Sequence, residues 1–298
     1  MSVRRQILEL VGSAPLLRPV ARMAYERRFA QQFGGERLFR GIYSDFSEAA
    51  ASAPRSSFTG HDNVAYVSKV AVHEHEAFTA SSPYASTRAR SSDYPILFWL
   101  SKILPSAARI FDWGGCTGIS YYVYREYLAF PDRLEWIVND VPGVVALGRE
   151  LTSQQDASQL TFTTDLTLLE NCDIVISAGS LQMIEEPFAL LKKIPKLPPH
   201  FFINKVPVLE RPSVVTLCNN GASYCPYRLL ERADLIRNME DLGFALVDEW
   251  EIPELSCRIP FHPEFSVPHY AGFYFCRREA ASARKLFRNG GHQPFTGD

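Results

Sequence analysis

The sequence predicts an α/β fold: a mostly parallel sheet flanked by helices, with an antiparallel last strand and a helical addition at the N-terminus. Three observations predict it. An apolar run at 109–111 ends in an acid, passes through a glycine turn and opens into the helix-compatible stretch 119–128. Three further strand-like runs, at 134–138, 160–163 and 173–177, end in acidic or small residues and are separated by helix-compatible segments, the pattern of βα units. A fifth run at 200–204 is followed by a helix, a strand at 244–250 and a last strand at 270–276.

The first turn carries the most information. Arg109, Ile110 and Phe111 lead into Asp112, Trp113, Gly114, Gly115, Cys116, Thr117 and Gly118. Strand, glycine loop and helix in succession place a nucleoside cofactor at the carboxyl end of a strand in a Rossmann-like fold. A dinucleotide fingerprint GxGxxG would need its first glycine where Trp113 stands, so only Gly115 and Gly118 match. A loop for S-adenosylmethionine has an acid followed by glycines at the second, fourth and sixth positions. Asp112, Gly114 and Gly118 meet that register, while Cys116 holds the middle place and a glycine sits one earlier. An acid here repels a pyrophosphate and attracts the ammonium of a methionine moiety. The expected cofactor is S-adenosylmethionine; a nicotinamide-dependent oxidoreductase is the alternative, and a non-catalytic subunit retaining the fold is a third reading.

The later strand ends extend the same edge. Asn139 and Asp140 close the second run about 20 residues past the loop, where an acid commonly binds ribose hydroxyls, so Asp140 is the expected ribose ligand with Val141 beside it. Asp165, beyond the third run, is placed to meet an adenine amino group, with Leu166 next to it. The fourth run passes through Ala178 into a turn at the same edge. Residues 207–226 read as an irregular excursion that walls an acceptor pocket. Residues 228–242 read as a helix stopped by Gly243. The connection between the last two strands holds His262 and His269. Residues 279–298 read as a mobile polar tail.

The N-terminal addition differs in charge. Its first 40 residues hold eight arginines against three glutamates, and Ile7, Leu8, Val11, Leu16, Leu17 and Val20 recur at helical spacing. An amphipathic helix covering the protein's own core is the preferred reading; peripheral contact with an anionic membrane or a partner subunit, including a homodimer, is the other. Residues 41–108 read as a cap, with the Ala-, Ser- and Pro-rich stretches 49–57 and 78–92 as loops and short helices over the mouth of the site, an apolar helix at 94–104, and Arg88 or Tyr94 within reach of a cofactor carboxylate. His73 and His75 fall on one face only in a strand, so no metal is expected. The division is an N-terminal extension and cap over 1–104, a catalytic domain over 105–278 and the tail.

Composition narrows the classes. At 298 residues and 46% hydrophobic the chain can bury a sizeable core. A net charge of -2 gives no general attraction to nucleic acid. The six cysteines contain no CxxC pair, consistent with free thiols in a reducing cytoplasm. No apolar run approaches the roughly 20 residues that span a bilayer.

The segments DWGGCTGISYY at 112–122, IVNDVP at 137–142 and DIVISAGSLQMIEEP at 173–187, with YCPYRLL, LGFALVDEW and the earlier LFRGIYSDFSEAAASAP at 38–54, resemble a group of class I methyltransferases. These are encoded among bacterial genes for surface polysaccharides and other secondary products. The resemblance covers roughly residues 38–277. It implies the class I methyltransferase fold and its cofactor, with Gly114, Gly115, Gly118, Asp140 and Asp165 carried over by position. Methyl transfer to oxygen of a small-molecule or saccharide acceptor needs alignment first and a proton acceptor only for a hydroxyl. His269, then His262, is the expected base, with Tyr224 orienting the acceptor.

Overall fold

The computed structural model describes residues 18–31, 37–54, 60–68, 88–153 and 157–278. In chain order the strands are β1 (Leu38–Tyr43), β2 (Arg109–Trp113), β3 (Glu135–Asn139), β4 (Leu160–Thr163), β5 (Ile174–Ala178), β6 (His200–Val206), β7 (Val208–Leu209), β8 (Val214–Asn219), β9 (Tyr224–Glu231), β10 (Phe244–Ile252) and β11 (Tyr270–Arg277). Seven of them form one sheet in the order β10-β11-β6-β5-β2-β3-β4. Only β11 runs against its neighbours, pairing antiparallel with both β10 and β6, while β6, β5, β2, β3 and β4 are mutually parallel. This is the order and polarity of a Rossmann-like methyltransferase sheet, including the antiparallel strand expected last.

The strands read as continuous apolar runs because both faces are covered. Ile110, Trp136, Val138, Ile174, Ile176 and Phe202 face one core with the helices Tyr94–Ile103, Ile119–Tyr124 and Pro142–Thr152. Their alternates Phe111, Ile137, Val175, Phe201 and Ile203 face a second core with Leu191, Leu235 and Met239. Gly148 lets the helix Pro142–Thr152 lie against β4, since a Cβ there would fall 2.3 Å from the Phe162 ring.

Three sequence expectations are corrected. Residues 207–226 are not irregular: β8 and β9 form an antiparallel hairpin turning at 220–223, with β1 and β7 on its edges, in a second sheet ordered β1-β8-β9-β7. The helix expected over 228–242 is shorter, Arg232–Asp241, because β9 continues to Glu231. Likewise the helix after the glycine turn ends at Tyr124.

The second sheet is a two-faced layer. Leu217 and Tyr224 pack on its outer face with Tyr25, Phe29 and Leu38, and the helix Arg18–Gln31 is locked there by Asn219 Nδ2 donating to the Phe29 carbonyl at 2.6 Å. Cys218, Cys225, Tyr227 and Leu229 face inward with Phe39, Ile252, Cys257 and Tyr270. The apolar stripe of the helix Arg18–Gln31, namely Ala21, Tyr25 and Phe29, thus covers the protein's own core. Ile7, Leu8, Val11, Leu16, Leu17, the His73–His75 pair and the tail after Arg278 lie outside the described residues. Among the described residues no helix is long and apolar enough to cross a membrane.

Candidate active site

The carboxyl ends of β2, β3, β4, β5 and β6 share one edge of the large sheet, and the order reverses between β2 and β5. In open α/β sheets that switch point is where ligands bind. Here the loops after β2 and β5 meet: Ser180 Oγ donates to the Trp113 carbonyl, and Gly114, at φ +77, lies so close that a Cβ would sit 2.3 Å from the Ser180 Cβ. Gly115 is needed for a different reason, because a Cβ there would fall 2.4 Å from Cγ of Asp112. Gly118, at φ +85, caps the following helix. Cys116 occupies the place of the usual middle glycine and adopts its left-handed backbone, with φ 55. The loop therefore keeps a glycine-type path with one side chain added.

Asp140 ties this turn to the next strand end. Its Oδ2 accepts the Cys116 amide at 2.9 Å and its Oδ1 accepts the Val141 amide at 2.8 Å. The carboxylate is half-buried at the edge. Asp165 is exposed and caps the turn Leu166–Asn171, with Oδ1 accepting the Thr167 hydroxyl at 2.7 Å and its amide at 2.9 Å, which together hold its carboxyl below the usual range. Leu166 and Ala178 are half-buried at the same edge. Trp113 offers only backbone, because its ring is buried in the second core.

Two expected roles are corrected, those of Asp112 and Tyr224. Asp112 is 1% exposed, with Oδ2 accepting from the Trp136 indole at 3.2 Å. Burial pushes its carboxyl up to about 7, so it supports the loop from beneath instead of offering a charge to an ammonium. Tyr224 does not face an acceptor: its hydroxyl donates to the carbonyls of Phe29 and Ala30 on the outer face of the small sheet. His269 is exposed with Nε2 3.3 Å from Glu251, and His262 lies 3.6 Å from Glu264, each beside a surface carboxylate.

Other residues gather at the edge that the sequence did not single out. Lys205, at φ 58 near the end of β6, places Nζ 2.9 Å from Asp93, and Asn204 Nδ2 holds the Ser92 carbonyl at 2.9 Å. The segment before the helix Tyr94–Ile103 is thereby fastened over the sheet edge. Gln182, fully buried, donates from Nε2 to the carbonyl of Gly179 at 2.9 Å and to Tyr227 at 3.1 Å, linking the two sheets. The only sequence signal for Lys205 was a cation at a strand end; its partner is 112 positions away.

No family model and no curated protein matches the sequence. Among solved structures the chain is similar to the 1,6-didemethyltoxoflavin-N1-methyltransferase of Burkholderia thailandensis, crystallised with S-adenosylhomocysteine, at 15% identity over 72% of this chain and 87% of that one, with a TM-score of 0.44. It is also similar to the CcbJ methyltransferase of Streptomyces caelestis, at 13% identity over 63% and 91%, TM-score 0.41. A third is the glycopeptide N-methyltransferase MtfA complexed with S-adenosylmethionine, at 11% identity over 62% and 93%, TM-score 0.43. The strand order above, not these likenesses, carries the assignment of fold.

Proposed function

We propose that the protein is an S-adenosylmethionine-dependent methyltransferase acting at oxygen of a small-molecule or glycan-precursor acceptor. What carries the reading is the cradle at the β2/β5 switch point: left-handed Gly114 and Gly118, the close approach at Gly115, and Asp140 holding the turn. When bound, S-adenosylmethionine supplies an electrophilic methyl group on a positively charged sulfur. The glycine path lets backbone approach the nucleoside without a Cβ between them. Asp140 would take the ribose hydroxyls, and Asp165 has an oxygen left for an adenine amino group. Ser92 and Asp93 are fastened at the edge by Asn204 and Lys205. Alignment of the acceptor contributes on the order of 7 to 11 kcal/mol.

Calorimetric melting with S-adenosylhomocysteine and with NAD tests this. S-adenosylhomocysteine is expected to raise the midpoint, NAD to leave it unmoved, and Asp140→Ala to weaken the first by about tenfold or more, the worth of charge-assisted hydrogen bonds. Stabilisation by NAD alone would overturn the reading in favour of an oxidoreductase.

A further inference from the structure

Val20 and Met23 stand one turn apart on the helix Arg18–Gln31 and are 59% and 53% exposed. Helical spacing places them opposite the inward stripe Ala21, Tyr25 and Phe29, in company with Pro19, Ala24 and Ala30, which are exposed as well. The solvent side of a surface helix is normally its polar side. Here that side is apolar apart from Arg27 and Gln31, and Arg22 and Arg28 stand exposed on its two flanks. Among the described residues none of these three arginines is paired with a carboxylate. Glu26, the one acid of the helix, is drawn instead to Arg40 at 3.2 Å.

The face is in place before any partner arrives. Tyr25 donates its hydroxyl to the Phe39 carbonyl at 2.6 Å, Asn219 holds the Phe29 carbonyl, and Arg18 Nη2 reaches the Phe261 carbonyl at 3.4 Å. Docking through it therefore requires no folding of the helix. Its charge is opposite to that of the rest of the chain: four arginines against one glutamate leave the helix at +3 in a chain of net charge -2, so the remainder carries -5. An anionic plane attracts this face and repels the remainder, so contact fixes one orientation. Arginines alone would suit a nucleic-acid backbone equally well. Val20 and Met23 between them would not, because exposed apolar side chains flanked by arginines gain by insertion at the boundary of headgroups and acyl chains, where the guanidinium groups meet the lipid phosphates.

We propose that the helix Arg18–Gln31 docks the protein on an anionic bilayer, with Val20 and Met23 inserted and Arg22, Arg27 and Arg28 on the headgroups. The docking does not depend on the methyltransferase reading. To test it, the full chain is sedimented with sucrose-loaded vesicles of phosphatidylcholine alone or of phosphatidylcholine with about one-third phosphatidylglycerol. The parent is expected to pellet with the mixed vesicles only, and less as salt is raised. A basic residue near such a surface is worth about fivefold, so Arg22→Gln, Arg27→Gln and Arg28→Gln together should lower the affinity about a hundredfold. Val20→Ser with Met23→Ser leaves the charge unchanged and should lower it about tenfold or more, the worth of one buried apolar side chain. All five side chains are exposed, so melting midpoints equal to the parent's show that the variants fold. Equal pelleting with both kinds of vesicle, or pelleting undiminished by the arginine replacements, overturns the proposal. Duplex DNA bound as tightly as the mixed vesicles, with the serine pair without effect, would replace the bilayer by a nucleic acid. A concentration-dependent dimer that the serine pair disperses, without vesicle binding, would give the face to a second copy of the chain.

Discussion

Asp112 and His61 have opposite proton preferences, and their opposition has a measurable result. Asp112 is raised to about 7 by burial, opposed by the Trp136 indole, so the folded state holds its proton more tightly than the unfolded chain. Its contribution to stability is complete below about pH 3.9, the unfolded carboxyl value, and is lost as pH rises through 7. His61 is lowered to about 4, so its contribution is present above about pH 6.5 and is lost as pH falls through 4. Asp112→Asn leaves an oxygen for the Trp136 indole and removes only the titration. The variant is expected to melt higher than the parent at pH 8, with the advantage vanishing towards pH 4. Between those limits it should lose stability on acidification more steeply, since the His61 slope is no longer opposed. Melting curves across this range check it; no advantage at pH 8 would mean that the buried carboxyl ionises without cost.

The turn after β2 separates two kinds of glycine requirement that a sequence motif merges. At Cys116 the left-handed backbone costs about 1 to 2 kcal/mol for an L residue, yet a glycine there gives back about 0.5 to 1 kcal/mol in unfolded-chain entropy. Cys116→Gly should therefore change stability by no more than about 1 kcal/mol and retain S-adenosylhomocysteine binding. Gly115→Ala has no such compensation, because its Cβ meets the Asp112 carboxyl at 2.4 Å and the loop must move. Binding is expected to fall about tenfold or more in titration calorimetry, the worth of a lost charge-assisted hydrogen bond if Asp140 parts from the Cys116 amide. The parallel strands were legible because runs such as Ile174, Val175 and Ile176 are apolar on both faces. β8 and β9 were not, since Thr216, Asn219 and Arg228 interrupt them and their partner β1 comes from the other end of the chain. The strand periodicity was present there, but polar residues that hold neighbouring elements, Thr216 the Arg40 carbonyl and Asn219 the Phe29 carbonyl, obscured it.

At the scale of the molecule, Gln182 links the large sheet to the small one, and the small one is backed by a helix far away in sequence. Asp140, Gly114 and Gly118 were readable because their roles follow from local turn geometry. Gln182 and Lys205 were not, because each acquires its role from residues brought together only by the fold. Phe29 tests the dependence of the second sheet on the helix Arg18–Gln31. It is fully buried, packs 5.5 Å from the Tyr224 ring, lies under the Arg40 guanidinium at 4.8 Å, and its carbonyl holds Asn219 and Tyr224. Phe29→Ala is expected to cost about 3 to 5 kcal/mol and to lower the melting midpoint by about 10 °C. Because β2, β3 and β5 make no use of this helix, affinity for S-adenosylhomocysteine should stay within about twofold of the parent, well under the 1.4 kcal/mol of a tenfold change. A fall of that affinity in step with the midpoint would mean that the two sheets form as one unit, and an unchanged midpoint would mean that the helix is not what holds the small sheet in place.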